Sequence, residues 1–203
     1  FSFHPVKIVT TAEGGLATTN CPMIAEKMRL FRSHGITRDQ SLMTRDNDEP
    51  WYYEQQDLGF NYRMTELQAA LGISQMERVD EFIQSRHWLK RRYDELLSGL
   101  PVITPYQDRN CYSSLHLYPI KIILEELQKT RKDIFAELRD LGIGVNVHYI
   151  PIHTQPYYQE LGFDFGDFPK SENYYNRALS IPLFPSMTID QQDSVLDALR
   201  AVL

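Results

Sequence analysis

Phe1-Ser-Phe-His-Pro-Val-Lys7, continued through Ile8-Val9 into Thr10-Thr-Ala-Glu-Gly-Gly15, is the stretch on which the reading of this 203-residue chain turns. Phe1 to Phe3 reads as the end of a buried strand, and Pro5 bends His4 to Lys7 into a turn. Ile8 to Thr11 and Gly15 to Thr19 are β-branched and apolar enough to pair as two short strands across Glu13-Gly14-Gly15. A lysine held between Val6 and Ile8 is partly desolvated. Desolvation disfavours an ammonium, and a neutral amine can attack an aldehyde and form a Schiff base. The Ser2 hydroxyl and the backbone N–H groups around it could hold a phosphate, and Gly14-Gly15 lets the backbone turn sharply nearby. A lysine after a strand, taken alone, is an ordinary solvent-facing residue; the words around it make it a candidate.

Moving outward, Pro22 suits a first helical turn, with Ile24, Met28 and Phe31 on one face. Between Arg32 and Leu58 the periodicity dissolves into a long loop carrying Gly35, Pro50 and the charged tip Arg45-Asp-Asn-Asp-Glu49. Loops of this length are often functional, and Trp51-Tyr-Tyr53 at its end favours a packed segment. Thr65-Glu-Leu-Gln68 is a capping box. It opens a helix expected to run to about Leu97, bent near Gly72 and ended by Gly99-Leu-Pro101.

A second unit follows. His116 to Ile122 alternates as a strand. Lys129 to Leu141 is a helix with Ile134, Leu138 and Leu141 inward, and Val145 to Ile150 is a strand. Pro156 to Leu161 and Ser171 to Leu179 are short helices, and Ser180 to Phe184 is a strand. Thr188-Ile-Asp-Gln191 caps a last helix with Val195, Leu196, Leu199 and Val202 on its apolar side. This alternation predicts an α/β or α+β small domain.

Hydrophobic residues make up 42% of the chain, enough for a core, and the formal net charge is −6. An acidic balance without a basic stripe argues against nucleic acid as a partner. No apolar run has the length of a membrane span, which argues against a membrane partner. Cys21 and Cys111 have no metal-ligand spacing and point to a reducing cytoplasm. His148 and His153 share no helix and have no Cys or carboxylate completing a set, so no metal site is expected. The chain lacks an initiating Met and opens on what reads as strand, so residues are expected to precede Phe1.

Ser2-Phe-His-Pro-x-Lys7 with Thr10-Thr-x-Glu-Gly-Gly15 resembles the cofactor-anchoring segment of the DegT/DnrJ/EryC1 family of sugar aminotransferases. The resemblance implies that Lys7 binds pyridoxal phosphate covalently and acts as general acid and base, and that Ser2 binds the phosphate. Gly59-Phe-Asn-Tyr-Arg-Met64, followed by Thr-Glu-Leu-Gln-Ala-Ala70, resembles the family segment whose asparagine reaches the partner subunit's cofactor site. Asn61 then becomes a cofactor-binding residue and a homodimer with shared active sites is implied; as a bare sequence, Asn61 also suits a turn. Arg63 is a candidate for an anionic substrate group, with a salt bridge at the helix start as the alternative. Gly142-Ile-Gly-Val-Asn-Val-His-Tyr-Ile-Pro-Ile-His153 resembles the stretch that lines the sugar-nucleotide pocket. His4, Asn146, Val147, His148, Tyr149 and His153 are thereby candidate substrate-binding residues.

That stretch and Ala178-Leu-Ser-Ile-Pro-Leu-Phe-Pro185 resemble the pseudaminic-acid branch of the family. Such enzymes move an amino group from L-glutamate to C4 of a UDP-linked 4-keto-6-deoxy-N-acetylhexosamine. The implied fold is α/β, that of a fold-type I aminotransferase. Residues 1–64 form the end of the large cofactor-binding domain, 65–98 a bridging helix, and 99–203 a C-terminal α/β small domain. The family's phosphate loop, stacking aromatic ring and pyridinium-pairing Asp would precede Phe1, so the chain alone is expected to be inactive and to need that half in trans. Ala12 stands where Gly is common, and Asn20-Cys21 where Asn-Asp is common. A dehydratase relative would carry His in place of Lys7. A non-catalytic binding or regulatory member of the same fold, and a generic α/β binding module, stay open.

Overall fold

Pro22 starts the first helix, α1 (Pro22–Arg32), in the computed structural model, which describes residues 1–203 as two units, Phe1–Arg78 and Val79–Leu203. Its missing N–H costs nothing at a position where the donor would have no helical partner. Cys21 at the N-cap makes no side-chain capping bond. The departure from Asp at this place therefore gives up a cap of the kind worth about 1 kcal/mol.

The long loop after α1 is tied down at two places. A two-residue antiparallel ladder joins β1 (Ile36–Thr37) to β2 (Glu54–Gln55). Glu54 then gathers the tip: its carboxylate accepts from Thr44 N and Oγ1, Arg45 N, Tyr52 Oη and Gln56 Nε2. These bonds, led by the Thr44 backbone N–H, hold its pKa down to about 2. The expectation that the aromatic cluster packs the segment fails for Trp51 and Tyr53, which are exposed; the carboxylate organises it instead.

Three further expectations for this unit are corrected. Phe1 is exposed, and Ser2 has a single bridge, to Gly15, in place of a buried strand. Ile8 to Thr11 does not pair with Gly15 to Thr19. The return segment pairs with the opening one, through Phe3 N–H to Gly14 O and Leu16 N–H to Phe1 O, both 3.0 Å. The single long helix is two: α2 (Glu66–Met76) and α3 (Val79–Leu96). The break comes at Glu77-Arg78, where Arg78 N–H bonds Gln75 O at i−3. Asp80 and Glu81 in the first turn of α3 favour a fresh start there. Gly72 is not a bend; a Cβ there would lie 2.8 Å from Thr11 Cγ2, so glycine lets α2 close on the buried Thr11.

The second unit holds the core. β3 (Val102–Ile103), β4 (Tyr118–Ile122) and, later in the chain, the strand over Ala178–Ile181 form an antiparallel sheet with β4 central. Val102 pairs with Ile122, and Tyr118 with Ile181. Tyr118, Ile120 and Ile122 face inward with Leu89, Tyr93 and Leu97 from α3 and its end. α4 (Arg131–Asp140) adds Ile134 and Leu138. α5 (Pro156–Gln159) and α6 (Pro169–Arg177) are short, and the Ala178–Ile181 strand becomes β5. α7 (Ile189–Val202) has the expected Thr188–Gln191 capping box and buries Val195, Leu196, Leu199 and Val202.

Leu141 was expected inward but is exposed, because α4 ends at Asp140 and the chain turns through Gly142 at φ 79°. Val145 to Ile150 is not a strand. Only Asn146 pairs, exchanging both backbone bonds with Ser180, before the chain leaves the sheet. β5 begins at Ala178, two residues earlier than expected, so Ala178 and Leu179 are not helical, and it ends at Ile181 rather than Phe184. No helix is long and apolar enough to cross a membrane.

Candidate active site

The Lys7 turn is built by local bonds. Lys7 N–H donates to His4 O at 2.9 Å, closing the turn around Pro5, and His4 N–H reaches Ser2 Oγ at 3.4 Å. Lys7 is half-buried, while Ser2 and His4 are exposed. His4 Nε2 lies 3.9 Å from the Glu13 carboxylate. The Lys7 amine has no hydrogen-bond or ion-pair partner in the chain.

The turn rests on the 10–15 segment. Thr11 N–H and Thr10 Oγ1 both bond Phe3 O, and the buried Thr11 donates Oγ1–H to Glu13 O at 2.7 Å. Gln68 is the link to α2: its Oε1 accepts from Thr65 N as half of the capping box, and its Nε2 donates to Glu13 O at 3.0 Å. The capping motif was legible; the bond across 55 residues was not. Gly14 is required by contact, since a Cβ would lie 2.3 Å from Thr11 Oγ1.

Ala12 stands at φ 64°, the left-handed region that costs a non-glycine residue about 1–2 kcal/mol. Glycine relieves this and pays part of it back in unfolded-chain entropy. Ala12→Gly is expected to stabilise the first unit by about 0.5–1 kcal/mol. Urea unfolding followed by Trp51 fluorescence in a Trp88→Phe background checks it; a loss of stability would contradict the strain argument.

Asn61 lies on a strap seated on the end of α1. Phe60 N–H donates to Phe31 O, His34 N–H to Phe60 O, and Tyr62 N–H to Arg32 O, with Ser33 bridging Asn61. Gly35 and Gly59 permit this crossing: a Cβ on Gly59 would lie 2.2 Å from Gly35 N, and one on Gly35 1.9 Å from Asp57 O. Asn61 and Arg63 are exposed, and the salt bridge considered for Arg63 is not made.

In the second unit the structure brings together two of the predicted residues, Tyr149 and His153. They line a cavity of about 550 Å³ with Ile152, Tyr158, Phe168 and Tyr174 among its walls. His153 is buried, with Nε2 2.8 Å from Glu172 Oε1 and its ring 4.8 Å from that of Phe168. Asn146, Val147 and His148 are not in this lining. His148 turns toward β5, its Nδ1 2.8 Å from Ser180 Oγ, with Tyr149 edge-on to its ring. Asn146 Oδ1 accepts from Val147 N at 2.8 Å. Glu172 was missed, lying 19 residues beyond His153 with no local motif to mark it.

Residues 1–200 match the profile of the DegT/DnrJ/EryC1/StrS aminotransferase family. The spore coat polysaccharide biosynthesis protein SpsC of Bacillus subtilis is 37% identical over 206 residues, covering 100% of this chain and 53% of that protein. The UDP-4-amino-4,6-dideoxy-N-acetyl-beta-L-altrosamine transaminase of Campylobacter jejuni is 32% identical over 204 residues, covering 100% and 51%. Among solved structures, Helicobacter pylori PseC, an aminotransferase involved in the biosynthesis of pseudoaminic acid, superposes with a TM-score of 0.86 at 32% identity, over 100% of this chain and 52% of that one. The PMP-form of the Streptococcus pneumoniae putative sugar aminotransferase Spr1654 gives 0.85 at 28%, over 100% and 52%. The chain spans about half the length of the curated relatives it matches. The match across nearly every residue, with full-length coverage at more than 30% identity, means that the chain belongs to the DegT/DnrJ/EryC1/StrS aminotransferase family.

Proposed function

We propose that this chain supplies the cofactor anchor and acceptor-binding residues of a pyridoxal-phosphate-dependent aminotransferase. Its reaction is transfer of an amino group from L-glutamate to a UDP-linked 4-keto-6-deoxy-N-acetylhexosamine, in pseudaminic-acid-type nucleotide-sugar synthesis. The observation that carries this reading is the Lys7 turn: a half-buried primary amine with no partner in the chain, on a backbone-bonded turn whose His4 N–H reaches the Ser2 hydroxyl. That donor set fits the cofactor, with Lys7 as covalent anchor to its aldehyde and Ser2 as a phosphate ligand. Bound pyridoxal phosphate supplies an electron sink. Lys7 Nζ moves the proton at the reacting carbon of donor and acceptor.

His4, Arg63, Asn146, Val147, His148, Tyr149 and His153 are the acceptor-binding set in this reading. Arg63, an exposed cation without an internal ion pair, suits an anionic group. Asn61 completes the cofactor site of the other subunit in a homodimer. Residues 1–64 close the large domain, 65–98 connect, and 99–203 form the small domain. The free thiols of Cys21 and Cys111 suit the cytoplasm. The curated relatives are about twice as long, so the complete enzyme is this chain together with a polypeptide equivalent to their other half.

The test is made on both forms. Incubation with pyridoxal phosphate, borohydride reduction and peptide mapping of the complete enzyme places the label on Lys7 and spares Lys27, the other lysine of the first unit. A label spread over surface lysines sinks the anchor. The chain alone gives no amino sugar from glutamate and the keto sugar; substantial turnover by it alone sinks the half-enzyme reading. Asn61→Ala in the complete enzyme speeds cofactor loss on dialysis, and unchanged retention reduces Asn61 to a turn residue.

A further inference from the structure

Among the side chains lining the cavity of the second unit, His153 is the one that the structure pairs with a carboxylate, that of Glu172. His153 is 8% exposed and Glu172 Oε1 lies 2.8 Å from its Nε2. The same oxygen accepts from Gly166 N–H at 2.8 Å. Glu172, on α6, therefore ties two walls together: the 3-10 turn Ile152–Thr154 that carries His153, and the 163–168 loop that carries Phe168. An ionised carboxylate only accepts hydrogen bonds. The bond from His153, followed by the one from Gly166, holds the Glu172 carboxyl below its usual range, in the ionised form. The nitrogen facing it must then carry a proton. Because Nε2 is committed, Nδ1 is the ring nitrogen left without a partner in the chain.

We propose that Glu172 is a positioning residue that fixes Nε2 as the protonated ring nitrogen of His153, so that Nδ1 presents a lone pair and selects an O–H or N–H donor of the ligand over an anionic oxygen. This rests on the reading of His153 as an acceptor-binding residue and narrows it. Within a nucleotide sugar, His153 addresses a hydroxyl or a ring N–H, and the phosphates bind elsewhere. A phosphate oxygen brought to Nδ1 of that tautomer would set lone pair against lone pair. A carboxylate that orients a histidine through one nitrogen and leaves the other for chemistry is a recurrent device in protein sites.

The experiment is ¹⁵N NMR of the His153 ring in the 203-residue chain at neutral pH. The expected spectrum shows a protonated Nε2 and an unprotonated Nδ1; a protonated Nδ1, with Nε2 bare or protonated, overturns the assignment whatever the enzyme's substrate. Glu172→Ala is expected to release the ring to a mixture of tautomers. Glu172→Gln keeps an oxygen for Gly166 and His153 and should restore the Nε2–H form. If Glu172→Ala folds and keeps the wild-type tautomer, Glu172 loses its role, and if it fails to fold the wild-type spectrum decides alone. Titration with uridine, a neutral donor-bearing probe, should shift the Nδ1 resonance, whereas inorganic phosphate at equal concentration should not. A response to phosphate only, or to neither probe, overturns the ligand class. The tautomer measurement is independent of transamination, so its failure and failure of the proposed function are separable.

Discussion

Lys7→Ala is expected to abolish transamination by the complete enzyme, with turnover down by at least about 10³-fold, since general acid–base assistance alone contributes about 10²–10⁴ and the covalent anchor is lost as well. Its fold should be unchanged. The Lys7 side chain has no bond within the chain, and the turn that holds it is made by backbone groups, Lys7 N–H to His4 O among them. Lys7→Arg separates two explanations. Arginine keeps the cation but cannot deprotonate, so it offers no nucleophilic amine. If the residue served only to balance a phosphate charge, Lys7→Arg would retain much of the activity; if it is anchor and proton carrier, both variants are dead. The measurement is amino-sugar formation from glutamate, with circular dichroism as the control for folding. Retained turnover in Lys7→Ala removes the residue from its assigned role.

The features that were legible from the sequence are those whose causes are local. Pro22 at a helix start and the Thr65–Gln68 and Thr188–Gln191 boxes involve groups three residues apart, and each appears in place. Thr130–Asp133 is a third box of the same kind, and reading it would have moved the start of α4 from Lys129 to Arg131. The break between α2 and α3 has no Gly or Pro to announce it. Its one signal is Asp80-Glu81, acidic residues that favour a helix N-terminus.

Alternation misled at Val145 to Ile150, where the period-2 pattern was read as pairing. Val145 is buried in the core, but a strand also needs a continuous edge to bond. Only Ser180 offers one, and its hydroxyl is taken up by His148. The same limit governs the site. The roles proposed for Lys7, Ser2 and Asn61 rest on a resemblance carried by contiguous words. Gln68 reaching Glu13 across 55 residues, and Glu172 reaching His153 across 19, are products of the fold and have no word to carry them.

Arg86 shows how much such long-range bonds are worth. It is buried on α3, and its Nη1 donates to Leu115 O, His116 O and Leu183 O at 2.8–3.2 Å. One guanidinium thus joins the helix to the chain entering β4, where Leu115 stands at φ 53°, and the chain leaving β5. Burial without a carboxylate partner pulls its pKa below the usual arginine value. Two terms oppose each other when it is replaced. Arg86→Met removes the cost of burying a cation whose Nε finds no partner. It also strands three carbonyls, those of Leu115 and Leu183 buried and that of His116 partly buried, each buried one costing about 1–3 kcal/mol unless water enters. Three carbonyls outweigh one imperfectly solvated cation, so the net loss is expected to be about 3 kcal/mol, within the range for breaking a buried charged network. With a urea slope of about 1–3 kcal/mol per molar for a unit of this size, the midpoint falls by 1 M or more. Trp88, two residues along α3, reports the transition by fluorescence. Arg86→Lys keeps the charge but replaces a planar fork with a point donor on a shorter reach, and should recover only part of the loss. A change below about 1 kcal/mol in Arg86→Met would mean that water satisfies the three carbonyls as well as the guanidinium does, and that the hydrogen bonds drawn to Arg86 add little to the fold.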